Sequence, residues 1–451
     1  MDFERSWHKS YAPGVPKELD FEKITLPEVL TRTAGGFPNR TALIFMEKKI
    51  LYRELESLVN RFAKALADIG VRPGDKVALL LPNMPQTVIA DYAAMRIGAV
   101  AAMYDPLSKE SDLIALINDS DSRVLVALDL LYPRVMDLKA KTGIESIIFC
   151  HISDYLPFPS NKLLPWLSRT LHWKIGREKG VYEFLPMLGG HPDTPVENAA
   201  RWEDVAALLY TGGKTGKSKG VMLTHANLSC NVQQLRAWAP DLHDGRESVL
   251  AVFPFFRAAG WTGIQNLSIF AGWTDILVPK PEPDVVLEIM GKCRPTILPG
   301  SPAIYTGLLA HKKFRGTSLS SVKGLIAGAA PLPVEVVTKI RAVKDGPIIN
   351  LYGLTELSPV GTATPWGGTE KPGTVGVPLP GTDMKIVDAE TGTRELPAGE
   401  TGEICFKGPQ VMKGYHKKPG ETDAVLRDGW LYTGDIGFLD EDGYLTLVDR
   451  K

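Results

Sequence analysis

The chemistry of this chain is concentrated in the run YTGGKTGKSKGVMLTH, Tyr210 to His225. Gly212, Gly213 and Gly216 put three residues without a Cβ within five positions, so that successive backbone N–H groups can turn toward one point. Lys214, Thr215, Lys217, Ser218 and Lys219 add positive charge and hydroxyls at the same place. An apolar, strand-like stretch from Val205 to Leu209 leads directly into the loop. The combination reads as a cradle for a polyphosphate. Taken alone, the same glycines and lysines also suit a flexible solvated turn, and the rest of the chain must decide between the two.

A phosphate loop of the GxxxxGK[ST] form fails on spacing. Gly216, Lys217 and Ser218 supply its end, but the glycine required five residues earlier is Thr211. The run instead resembles the YTSGTTGxPKG signature of adenylate-forming enzymes, matching it at Tyr210, Thr211, Gly213, Thr215, Gly216, Lys219 and Gly220. Four more segments follow in that family's order: GAAPLP (Gly328 to Pro333), YGLTELSP (Tyr352 to Pro359), the TGD within YTGDIGFLDEDGYL (Tyr432 to Leu445), and LVDRK (Leu447 to Lys451). The resemblance is to AMP-forming acyl-CoA synthetases. The opening SWHKSYAPGVPKELDF and the overall layout look like the long- and medium-chain fatty acid branch.

That resemblance implies a reaction and a set of roles. A carboxylic acid is joined to ATP as acyl-AMP, and the acyl group then passes to CoA, with AMP and pyrophosphate released. Thr211, Gly212, Gly213, Lys214, Thr215, Gly216 and Lys219 would hold the β- and γ-phosphates. Gly328, Ala329, Ala330 and Pro331 would let the flat adenine approach the backbone, beside Tyr352 and Gly353. Thr355 offers a hydroxyl to the α-phosphate and Glu356 a carboxylate to Mg²⁺. Asp435 would hold the ribose hydroxyls, with Arg450 reaching the same sugar. The catalytic set so implied is Thr211, Lys219, Thr355 and Glu356. For the acid and the pantetheine the expected wall includes Phe256, Arg257, Gly260, Trp261, Gly300 and Ala327.

The elements that must carry these residues alternate. Lys76 to Leu81, Ala99 to Met103, Val124 to Ala127 and Ser146 to Cys150 are short apolar strands, with helical spacing from Pro85 to Ile97. A second set begins near Val249 and continues through Asp275 to Val278, Thr296 to Leu298, Gly324 to Ala327 and Ile348 to Leu351. Alternation of this kind implies parallel sheets wrapped by helices. After about Pro359 the texture changes to short strands with frequent Gly-Asp turns. The expected class is α/β, with two flavodoxin-like parallel-sheet subdomains wrapped by helices and a small β-rich, barrel-like one, the family's C-terminal domain being absent. The expected divisions are 1–200, 201–358 and 359–451.

Composition limits the partners. Lys plus Arg total 51 against 52 Asp plus Glu in 451 residues, which gives no broad field to attract nucleic acid. Four dispersed cysteines without a CxxC pair fit neither a zinc site nor a disulfide framework, and a reducing cytoplasm suits them. The apolar stretch from Met84 to Tyr104 contains Asp91 and Arg96, which favours a buried helix over a membrane span. Between residues 156 and 180, Trp166 and Trp173 mix with Lys162, Arg169, Lys174 and Arg177. Such a segment suits either a solvated helix packed on the body or a peripheral contact with the inner face of a membrane. A homodimer also stays open.

Three positions depart from the family pattern: Lys214 replaces Thr, Ser218 replaces Pro, and Arg257 replaces a His. Arg257 suits a substrate with a second polar or carboxylate end, or else turns to solvent or a neighbouring carboxylate. LVDRK resembles the hinge before a small mobile domain that supplies a lysine and part of the pantetheine tunnel. On that basis the chain is expected to bind nucleotide and acyl-adenylate with strongly impaired turnover. An aryl-CoA ligase, a luciferase-like or peptide-synthetase relative, and a non-catalytic acyl-adenylate-binding protein are the alternatives.

Overall fold

The computed structural model describes residues 5–161, 173–211, 218–328, 330 and 332–450, with Arg315 described in its backbone alone. Two large sheets form the body. In the eight-stranded sheet, Val205–Tyr210, Val100–Met103, Lys76–Leu80, Val124–Leu128, Ser146–Cys150 and Val181–Glu183 run parallel. Gly220–Thr224 returns antiparallel beside Val205–Tyr210. The nine-stranded sheet sets Thr41–Phe45, Thr274–Leu277, Ser248–Ala251, Ile297–Gly300, Gly324–Ala327 and Ile348–Gly353 parallel, with antiparallel strands at both edges. A curled five-stranded antiparallel sheet holds Asp383–Val387, Gly402–Lys407, Trp430–Leu439, Leu426–Arg427 and Leu445–Arg450.

Sheet membership does not follow the three expected stretches. The hairpin Thr41–Leu51 belongs to the nine-stranded sheet through the pairing of Leu43 with Asp275. Val205–Tyr210 belongs to the eight-stranded sheet through the pairing of Ala101 with Ala207. Local alternation shows that a strand exists. Which sheet it joins is set by pairings with residues a hundred or more positions away, which leave no local signal.

The helix Pro85–Arg96 is buried along its whole length between the two sheets. Its one cation is ion-paired inside the protein and its one carboxyl group is hydrogen-bonded there. Arg96 donates to Glu56 at 2.8 Å and to Asn60 at 2.6 Å, and Asp91 accepts from Trp261 Nε1 at 2.8 Å and from Gln265 at 2.7 Å. Buried charges need such partners, and the buried-helix expectation holds. Among the described residues no helix is long and apolar enough to cross a membrane.

Candidate active site

The phosphate loop is closed at its base by the strands that flank it. Tyr210 pairs with Gly220, and the Thr211 N–H donates to the Lys219 carbonyl at 3.1 Å. The Tyr210 phenol turns away from the loop to Asp119, at 2.7 Å, and its ring stacks on Tyr104. Gly220 packs closely here, since a Cβ would come within 3.2 Å of the Tyr210 ring. Gly212, Gly213, Lys214, Thr215, Gly216 and Lys217 lie outside the described residues.

Lys219 sits in a polar network that sequence reasoning missed. Its Nζ pairs with Glu421 at 2.8 Å and lies 4.7 Å from the centroid of the Tyr415 ring. The Tyr415 hydroxyl donates to Glu356 Oε1 at 2.8 Å. One aromatic side chain therefore links the loop to the YGLTE segment. Tyr415 reaches this place because Gly414–Tyr415 adds to the edge of the eight-stranded sheet, pairing with Val221 and Met222. The ammonium of Lys219 holds the Glu421 carboxyl below its usual range.

The segment expected to hold the nucleoside is built around Asp435. Tyr352, on the last turn of strand Ile348–Gly353, donates its hydroxyl to Asp435 Oδ2 at 2.7 Å, and Arg450 Nε lies 3.3 Å from Oδ1. Burial, with the neighbouring Asp435 anion, pushes the Tyr352 phenol well above its ordinary value. After Tyr352 the chain bends so tightly that a Cβ on Gly353 would fall 1.9 Å from the Pro359 carbonyl oxygen. Glycine is therefore obligatory, and the bend presents Thr355 and Glu356 on a short 3₁₀ turn, Thr355–Leu357. Glu356 Oε2 has no partner among the described residues. Gly328 is buried and its N–H points to Gly300 O at 3.4 Å; Ala330 is exposed, and Ala329 and Pro331 lie outside the described residues.

Beside Tyr352, Gly353 and Thr355 opens a cavity of about 390 Å³. Its floor is one face of the nine-stranded sheet, with Ile297, Pro299, Ile326, Gly328, Ile349 and Leu351. Its opposite wall is Leu235, Trp238, Ala239 and Leu242 from the helix His225–Trp238 and its continuation, joined by Gly263, Ile264 and Leu267. Trp238, Trp273 and Trp366 line it with their indole faces. The Trp238 and Trp273 N–H groups are spent on Thr364 O at 2.9 Å and His243 O at 3.0 Å. Trp366 can lie against the sheet only because residue 324 is glycine, where a Cβ would meet its ring at 2.3 Å.

Of the six residues expected to face the acid, Arg257 lines this cavity. Gly300 and Ala327 do not, because each is one residue out of phase with the floor. A β-strand sends alternate side chains to opposite faces. Ile297, Pro299 and Ile326 face the cavity, whereas Ala327 joins Leu298, Leu325 and Tyr305 in the separate core on the other face, and Gly300 lies against the Tyr305 ring. Trp261 is fully buried, its indole bonded to Asp91, on the side of the π-helical turn Trp261–Asn266 facing away from Gly263 and Ile264. Gly260 has its missing side chain directed at Pro254 O, 2.2 Å from a Cβ, and Phe256 is half-buried under Arg257. The helix-wall residues carried a legible spacing of three and four, but nothing in it says what that stripe faces.

In the segment 156–180, residues 162–172, Trp166 among them, lie outside the described residues. Trp173 stacks on Tyr132 at 6.0 Å, with its N–H donated to Asp129.

Comparison with known proteins agrees with this geometry. Residues 30–416 match the AMP-binding enzyme family. A long-chain-fatty-acid–CoA ligase of Bacillus subtilis (strain 168) is 40% identical over an alignment of 454 positions that covers 100% of this chain and 81% of that protein. One from Salmonella typhimurium is 32% identical, covering 99% of this chain and 81% of its own length. The crystal structure of a long-chain-fatty-acid-CoA ligase from Archaeoglobus fulgidus superposes with a TM-score of 0.83 at 28% identity, over 98% of this chain and 86% of its own. With the family match over residues 30–416 and 40% identity to a relative along the whole of this chain, the chain belongs to the AMP-binding enzyme family.

Proposed function

We propose that this chain activates a long-chain carboxylic acid with ATP and transfers the acyl group to CoA. The observation that carries the reading is the apolar cavity of about 390 Å³ opening beside Tyr352, Gly353 and Thr355. A cavity of that size and lining takes a hydrocarbon tail and leaves its head at the nucleotide motifs. In the first step a carboxylate oxygen attacks the α-phosphorus, the bond to the bridging oxygen of pyrophosphate breaks, and acyl-AMP forms. In the second, the CoA thiol, losing its proton, attacks the acyl carbonyl and AMP leaves. The likeness to long-chain ligases at 40% and 32% identity supports the same substrate class.

The chain's own residues supply alignment and charge neutralisation. Lys219 and the loop that opens at Thr211 neutralise the β- and γ-phosphates. Tyr352 and Gly353 take the adenine side, with Gly328, and Asp435 and Arg450 take the ribose. Thr355 stands between the phosphates and the cavity. No group of three His, Cys, Asp or Glu side chains suited to a metal occurs among the described residues. Glu356 nevertheless fits Mg²⁺, which is commonly held by one or two carboxylates with substrate phosphates. Its Oε1 is fixed by Tyr415 and its Oε2 is free among the described residues. Bound there, the ion would screen the phosphate charge.

Pyrophosphate exchange with octanoate, palmitate and benzoate tests the proposal. Exchange should be fastest with palmitate and slowest with benzoate, and the reverse order would turn the reading toward an aryl-CoA ligase. A peripheral lipid contact is a second reading. It is favoured by Phe158, 82% exposed, and Trp173, 43% exposed, beside the basic run. Liposome co-sedimentation unaffected by replacing both would remove it.

A further inference from the structure

Among the described residues the cavity lining carries one charge, Arg257. Every other lining residue is aliphatic, aromatic, glycine or proline, apart from the hydroxyl of Thr355 and the polar tips of Tyr352 and the tryptophans. Arg257 is exposed, and so is Gly353 across from it, while Trp238, Trp273, Ile297 and Trp366 are buried. The cavity therefore opens between Arg257 and the Gly353–Thr355 bend and closes on tryptophan.

The base of Arg257 is fixed and its head is free. Its N–H donates to Pro254 O at 3.0 Å, its carbonyl accepts from Trp261 N at 2.9 Å, and the close approach of Gly260 to Pro254 tightens the turn. The guanidinium lies over the Phe256 ring at 5.7 Å and has no hydrogen bond or ion pair with any described residue. Arg5 and Arg236, which are less exposed than Arg257, each hold a carboxylate, Asp383 at 2.6 Å and Asp244 at 2.7 Å. The sequence offered Arg257 a carboxylate of the substrate, or else solvent or a neighbouring carboxylate; the side chain is exposed to solvent, and no carboxylate pairs with it among the described residues.

A lone cation at the rim of an apolar chamber sets what the chamber accepts. When a chain fills the chamber, water leaves one side of the guanidinium, and its attraction for an anion grows as its cost when unpaired grows. The counter-charge must then come from the ligand. We infer that Arg257 captures the carboxylate of the incoming acid at the cavity mouth and selects an amphiphile with one anionic head and an apolar tail. A planar guanidinium fork matches a carboxylate with two parallel hydrogen bonds, which neither His nor Lys reproduces. A second carboxylate at the far end meets no cation among the described lining residues, the nearby Arg236 being paired with Asp244 at 2.7 Å. The inference rests on the proposed activation of a long-chain acid and names the residue that recognises its head.

Direct binding tests it without turnover, with quenching of the cavity tryptophans as the readout. Palmitate and 1-hexadecanol share a tail and differ in the head. The chain as it stands should bind palmitate at least about tenfold more tightly than hexadecanol. R257L should weaken palmitate binding by about ten- to hundredfold, change hexadecanol binding less than about twofold, and leave ATP affinity and thermal stability in place; R257K should recover part of the loss. Equal weakening of both ligands by R257L, or palmitate binding unchanged, overturns the role of Arg257. If the unaltered chain binds neither ligand, the long-chain reading itself falls.

Discussion

The two ends of this site are held by different physics. At the nucleotide end each working group is a polar side chain kept in place by another: Tyr352 by Asp435, Glu356 by Tyr415, Lys219 by Glu421. At the acyl end the lining is apolar, and its shape comes from the pleat of the nine-stranded sheet and three indoles whose N–H groups, at Trp238 and Trp273, point elsewhere. The polar end can be adjusted by exchanging partners, because each group there is held by one identifiable polar contact. The apolar end can be adjusted only by changing volume. Substitutions at the two ends should therefore fail in different ways.

The sharpest contrast is at Trp366. Trp366→Ala should cost about 3–5 kcal/mol of stability in chemical denaturation, as buried Trp deletions do, while shifting the preferred acid to longer chains and leaving ATP affinity unchanged. Weaker ATP binding in that variant would break the separation of the two ends.

Behind the apolar wall, Asp91 provides a pH test. Burial pushes its carboxyl up to about 8 against an ordinary 3.8, although Trp261 and Gln265 donate to it. Between those values the folded protein keeps a proton that the unfolded chain releases, so its contribution to stability falls as pH rises, by about 1.4 kcal/mol per unit. Asp91→Asn cannot titrate there. Its stability relative to the unaltered protein should climb from pH 5 to pH 8, and parallel melting curves across that range would show that Asp91 is already ionised.

At the polar end the effects are smaller and fall on binding. Asp435→Asn keeps the side chain's shape but removes the charge facing Arg450 and the ribose. ATP should bind about ten- to hundredfold more weakly by calorimetry, or about 1.5–3 kcal/mol, with the fold retained. Smallest of all, Glu421→Gln releases Lys219 from an exposed ion pair worth under about 1 kcal/mol. ATP affinity should rise severalfold at most, and a loss would mean that Glu421 acts on the nucleotide directly.

The same contrast explains what was legible in the sequence. Tyr352, Glu356, Asp435 and Lys219 were expected at one site because the proposed chemistry asks for those residue types, and the structure joins them in polar pairs; Gly353 marks where the backbone must pass close to itself. Gly300 and Ala327 were misplaced by a single residue, because apolar strands buried on both faces carry no alternation to reveal which side chains point where. Trp366 and Leu242 were invisible for another reason: a cavity wall is made where distant elements cross, and no local pattern records the crossing. Tyr415 was missed because its role depends on a two-residue strand joining the edge of another sheet.

A crystal structure with palmitoyl-sulfamoyl-adenosine bound tests the account most directly. Adenine should lie beside Tyr352, the sulfamoyl group at Thr355, and the alkyl chain along Ile326 and Ile349 toward Trp238 and Trp366. An alkyl chain on the opposite face of the sheet, against Ala327 and Tyr305, or left outside the cavity, would contradict it.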